Sequence, residues 1–244
     1  MGRTRDNDIV QSEAILLSKT ELRQRLQQVG EAMYHHQHPF HLRMHAGTLT
    51  RGQMQAWVLN RYYYQSSIPI KDAIILSKSD DPAFRRNWIR RIGDHDGTRE
   101  GEGGLHEWLL LAKAVGLDVD EVRLCRRVLP GVRYACDAYV DLVRERTLVE
   151  AVASSLTEHF APQIMRTRIA AWEKHYAPMG FVTDESMAYF RARVPRATRD
   201  AEEAIAFVTA HATTRALQEA CVRALIEKCR ILWALLDAVA EATA

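Results

Sequence analysis

Arg61, Gln65, Lys71, Arg91 and His95 carry the first chemical signal in this sequence, all within residues 50–97, TRGQMQAWVLNRYYYQSSIPIKDAIILSKSDDPAFRRNWIRRIGDHDG. On a helix Met54, Trp57, Val58, Arg61, Tyr64, Gln65 and Ile68 recur at helical spacing, so one face mixes apolar and polar groups. Arg91 and His95 are four apart, one turn along a second helix. Guanidinium, ammonium, amide and imidazole groups gathered this way suit a polyanionic ligand. The same pattern also fits a helical hairpin with a solvated basic edge.

Other chemistry-bearing residues lie further along. YHHQHPFHLRMHAG gathers five of the ten histidines, with His41 and His45 at a spacing that can bind a metal. No Asp or Glu has a His three residues after it, so the E-x-x-H pairs of di-iron bundles are missing and no metal is expected. Ser154, Ser155, Thr157 and Glu158 interrupt an apolar helix, either bonding back to the backbone or lining a cavity. Lys228 sits at the edge of the stripe Leu225, Cys229, Leu232 and Leu236, where an ammonium must snorkel to water or meet an anion. Snorkelling is the commoner fate.

Helices must position these groups. Capping boxes at Ser18/Glu21, Thr50/Gln53 and Thr147/Glu150 mark helix starts, as does Asp80-Asp81-Pro82. Pro69 predicts a kink between Gln65 and Lys71. TREGEGG after Gly97 reads as a flexible connector, and Asp118 with Glu121 caps the next helix. Asp184 caps a helix bearing Tyr189 and Arg193, which Pro195 is expected to stop. A long helix then runs to His211, and the last spans about Thr214 to Glu241. No stretch alternates as a strand does. The expected fold is all-α, a compact bundle of seven or eight helices forming one domain over residues 13–244, behind a flexible N-terminal segment, residues 1–12.

Composition narrows the partners. The net charge of +2 gives no field for nucleic acid or a membrane surface. Lysine fills only six of the 33 basic positions; the arginine excess suits carboxylate recognition, although genomic base composition produces the same skew. Cys125, Cys136, Cys221 and Cys229 form no CxxC pair and read as buried reduced thiols. MGRTRDNDIV lacks an apolar signal core, so the expected location is cytoplasmic.

NRYYYQSSIPIKDA followed by RRIGDHDG resembles the pyrroloquinoline-quinone synthase family. YHHQHPFH, LPGVRYACDAYV, SSLTEHFAPQI, YFRAR and KCRILWALLDA extend the resemblance in order from about Tyr34 to Asp237. It implies a heme-oxygenase-like fold without heme, and a homodimer. It also implies ring closure and eight-electron oxidation of a tricarboxylate quinone precursor by molecular oxygen, releasing hydrogen peroxide, with no metal or organic cofactor. Carried over motif by motif, Tyr34, His35, Arg61, Gln65, Lys71, Arg91, Tyr139, Thr157, Glu158 and Arg168 bind substrate. His95, with an unperturbed pKa near neutrality, is the general base. Tyr189, Arg193 and Lys228 surround the oxygen or peroxide as donors.

Two departures stand out. Met165 occupies a position where family members often carry histidine, and the stretch between Trp172 and Tyr189 is about three residues longer than in some relatives. Two other functions remain open: a thiaminase-like hydrolase on the same fold, which needs a nucleophilic cysteine, and a non-catalytic quinone-binding pocket protein.

Overall fold

The computed structural model describes residues 15–244. The expected flexible segment 1–12 lies outside them. Eleven α-helices follow one another: α1 Lys19–Met33, α2 Pro39–His45, α3 Arg51–Ser77, α4 Pro82–Asp96, α5 Gly103–Ala114, α6 Val119–Arg123, α7 Pro130–Glu145, α8 Leu148–Ser154, α9 Ala161–His175, α10 Asp184–His211 and α11 Arg215–Glu241. Eight of them have twelve residues or more. The caps expected at Asp118 and Thr147 open two of the three short ones, α6 and α8, while the three 3-10 turns were not legible. No strand occurs among the described residues, and none of their helices is long and apolar enough to cross a membrane.

Helix starts follow the local chemistry. The Ser18, Thr50 and Thr147 hydroxyls accept from the backbone N–H three residues on, and the third-position Glu or Gln returns the bond. Asp81 caps α4 with Pro82 in its first turn, where the missing N–H costs nothing. The cap of α10 is Thr183 rather than Asp184; its hydroxyl accepts from Ser186 N. Asp184 instead stands in the first turn, where the helix dipole favours its carboxylate.

Prolines punctuate less than expected. Pro195 does not stop a helix; α10 runs through it from Asp184 to His211. Burial on both sides overrides the lost hydrogen bond: Met187, Tyr189 and Phe190 precede the proline, and Ala197, Ala201, Ala204 and Val208 follow, all in the core. Pro69, read as a kink rather than a stop, lies inside α3, near Ser66 and Ser67, whose hydroxyls both bond back to the Tyr63 carbonyl at 2.8 Å.

The core is aromatic at its centre. Trp57, Trp108, Trp172 and Phe190 pack with ring centroids 5.1–6.4 Å apart. Helices α3, α5, α9 and α10 meet there, and Trp108 also lines the polar cavity described below. Three of the cysteines are buried, Cys125 is half-buried, and all four are free thiols.

Candidate active site

One cavity collects side chains from eight segments. Helix α3 contributes Arg61, Tyr64, Gln65 and Ile68; α4 His95; α5 Trp108; the 3-10 turn after α8 Thr157 and Glu158; α9 Ala161, Met165 and Arg168; α10 Tyr189 and Arg193. Tyr34 and His35, just past α1, and Leu232 of α11 complete it. It encloses about 40 Å³ of free space, enough for a few waters.

Its cations fall into two groups. Arg193 is ion-paired to Glu158 and lies 3.4 Å from Asp200. Among the described residues Arg61 and Arg168 have no carboxylate partner, and Arg61 Nη1 and Arg168 Nε are buried without any hydrogen bond. Arg61 stacks on Tyr64 at 3.9 Å, and Arg168 lies 4.9 Å over Trp57. Burial and the neighbouring Arg61 lower Arg168 to about 9. A buried Arg168 and a half-buried Arg61 facing one cavity invite an anion.

The proton-handling groups are equally defined. His95 is buried, and its Nδ1 lies 3.1 Å from the Arg91 carbonyl oxygen. A carbonyl only accepts, so Nδ1 carries the hydrogen and Nε2 keeps a lone pair, making no bond within the described residues. The unperturbed pKa expected of His95 is corrected here: burial first, then the Arg193 charge, push it down to about 3. It is a neutral imidazole offering an acceptor. Tyr189 donates to Gln65 Oε1 at 2.8 Å, and burial raises its phenol above the ordinary range.

Lys71, Arg91, Tyr139 and Lys228 stand behind the cavity wall rather than on it. Lys71 Nζ lies 2.6 Å from Asp72 and donates to Ser155 Oγ at 3.0 Å. Arg91 lies 3.9 Å from Asp200 and 3.9 Å over Trp88. Their charges are already neutralised by carboxylates on their own side. Lys228 does not snorkel. It is fully buried, with Nζ 3.1 Å from the Tyr139 ring centre, 4.4 Å from that of Tyr64, and no hydrogen-bond partner among the described residues. The stripe of α11 faces the helix core on every side, which leaves the amine no route to water. Burial and the Arg61 charge hold its pKa well below the usual lysine range.

Sequence reasoning missed Asp200 altogether. It lies seven residues after Arg193, two turns on the same face, and the expected break at Pro195 hid that relation. Trp108 and Ile68, which also line the cavity, were not named as site residues.

The sequence model of the TENA/THI-4/PQQC family matches residues 23–238. The chain belongs to this family. Among curated relatives, the pyrroloquinoline-quinone synthase of Acidiphilium cryptum (strain JF-5) is 50% identical over 228 residues, covering 93% of this chain and 92% of its own. That of Rhizobium meliloti (strain 1021) is 53% identical over 218 residues, covering 89% and 84%. Among solved structures, a domain with a heme oxygenase-like fold from Shewanella denitrificans superposes with a TM-score of 0.74 at 16% identity, covering 93% of this chain and 94% of that one. A TenA homolog from Pseudomonas syringae pv. tomato gives 0.70 at 13%, covering 91% and 92%. At such identities the structures establish a shared heme-oxygenase-like fold for this member of the TENA/THI-4/PQQC family.

Proposed function

We propose that the protein is a pyrroloquinoline-quinone synthase. It closes the ring of the last precursor and oxidises it by eight electrons to the quinone, with molecular oxygen as oxidant and hydrogen peroxide released, using neither metal nor organic cofactor. The observation that carries this reading is the pairing of two guanidiniums without carboxylate partners among the described residues, Arg61 and Arg168, with the His95 lone pair in one cavity. A polycarboxylate substrate neutralises the first two by charge-assisted hydrogen bonds and presents its ring C–H and N–H groups to the third. Tyr189 and Arg193 supply donors where negative charge develops on reduced oxygen. Lys228, Tyr139, Lys71 and Arg91 stand behind that wall and hold its residues in place.

A thiaminase-like hydrolase requires a nucleophilic thiolate. None of the four cysteines lines the cavity, and burial raises Cys136 and Cys221 to about 12 and Cys229 to about 11. The test is turnover of the precursor under air, followed by the quinone absorption spectrum and peroxide release, with metal-stripped protein. The quinone should form at an undiminished rate. A strict need for added iron, copper or manganese, or quinone binding without turnover, overturns the reading. We also infer a cytoplasmic homodimer; light scattering at micromolar concentration should give twice the 27.9 kDa chain mass.

A further inference from the structure

His41 does not line the cavity, yet both of its ring nitrogens are engaged. Nε2 lies 3.3 Å from Nη2 of Arg168. Nδ1 lies 3.0 Å from Nδ1 of His35 and 3.1 Å from the His35 carbonyl oxygen. A guanidinium only donates, and a carbonyl only accepts. Each partner alone therefore settles the proton on His41: Nε2 carries a lone pair and Nδ1 carries the hydrogen. A doubly protonated ring would turn an N–H against the arginine. Burial and the Arg168 charge hold His41 neutral in the same sense.

The constraint passes on to His35. The His41 Nδ1–H is shared between the His35 carbonyl and the His35 Nδ1, so that Nδ1 accepts. His35 is 3% exposed, and burial together with Arg61 and Arg168 keeps it neutral. Its single ring hydrogen must then sit on Nε2. That nitrogen makes no hydrogen bond within the described residues, and it belongs to a side chain that lines the cavity. His95 is fixed the opposite way by the Arg91 carbonyl. The cavity thus holds two neutral histidines of opposite polarity, one donor and one acceptor.

We propose that His41, gripped by Arg168, is a positioning residue that locks His35 as a hydrogen-bond donor to the cavity ligand. The identity of that ligand rests on the function proposed above; the tautomer does not. The group recognised is an acceptor only, a carboxylate or quinone oxygen. A ligand bringing an N–H or O–H to this point sets two donors against each other and is disfavoured. The ring lock costs the ligand nothing on binding, because the orientation is set before it arrives.

The experiment uses the full-length protein labelled with ¹⁵N-histidine. Long-range proton–nitrogen correlation at pH 7, with His35 assigned through its backbone, should show Nε2 protonated and Nδ1 bare and hydrogen-bonded. A His35 signal in the Nδ1–H form, or doubly protonated, overturns the proposal. His41→Phe keeps a ring but removes the donor and should weaken quinone binding about tenfold. His41→Asn can place an amide N–H where Nδ1 stood and should restore affinity to within about threefold of wild type. Equal affinity of all three proteins overturns the positioning role. If His41→Phe fails to fold, the wild-type spectrum and the Asn variant decide. Should the quinone fail to bind the wild type, the functional reading falls, while the spectrum still judges the tautomer.

Discussion

His95 is the residue on which the chemistry turns, and its environment predicts an unusual pH profile. A base works only when unprotonated, and here the protonated form is suppressed until pH falls to about 3. The rate constant kcat/KM should therefore show no acid limb near 6.5 from this group. A fall with a midpoint between 6 and 7 that disappears in His95→Asn would sink the assignment. That variant removes the lone pair and should slow single turnover by about 10²–10⁴-fold, with quinone binding retained through Arg61 and Arg168. Met165 cannot relay a proton; its thioether touches Arg168 Nη1 at 3.9 Å. Met165→Leu keeps the bulk and should change the rate by no more than about twofold. Stopped-flow traces of both variants separate the two roles. Much of this was legible, because Arg61, Gln65 and His95 sit in local helical patterns. What was not legible is the partner of each group. Lys228 looked free to snorkel because Tyr139 and Tyr64, which enclose it, come from α7 and α3. His41 showed only a spacing that can bind a metal, because its partner Arg168 lies 127 residues away.

At the scale of elements, the join between α4 and α5 fixes His95 from above. The glycine-rich stretch there reads as a flexible connector, but its glycines answer a geometric need. Gly103 has φ 84, in the left-handed region, and a Cβ on it would lie 2.3 Å from Gly97 N and 2.5 Å from the His95 carbonyl oxygen. Both are backbone atoms at the end of α4, so no side chain can swing away. Gly103→Ala should cost at least about 2 kcal/mol, from the left-handed penalty and the displaced helix end together. An unchanged urea midpoint would refute this. Helix α10 shows the converse. Its sequence carries a proline that local rules read as a stop, and packing on both sides carries the helix through. Only a continuous helix sets Asp200 two turns from Arg193, where it meets Arg91, Arg193 and Arg199 together. Local propensity locates the helices well; it does not say which of two competing rules prevails when a helix is buried on several faces.

Across the whole molecule, the same burial that sets the site makes stability depend on pH. His35 and His41 have pKa values well below the ordinary range, and His95 and His45 fall to about 3 and about 4. Desolvation is the largest cause for each. In the unfolded chain these histidines titrate near 6.5. Between about pH 6.5 and the folded values, the unfolded state binds protons that the native state refuses. Unfolding free energy therefore rises with pH in this window and is lost as pH falls through it. Each fully buried histidine adds up to about 1.4 kcal/mol per pH unit to that slope. Carboxylates such as Asp200, whose pKa is lowered by Arg91 and Arg193 despite its burial, begin to contribute only at more acid pH. Urea unfolding at pH 7.0 and 5.5 should thus show a marked loss of stability before carboxylates of lowered pKa such as Asp200 titrate, and His41→Phe should make that loss shallower by one histidine's share. Equal stability at the two pH values, or an unchanged slope in His41→Phe, would mean that these rings accept protons in the folded state and that the cavity is wetter than its geometry implies.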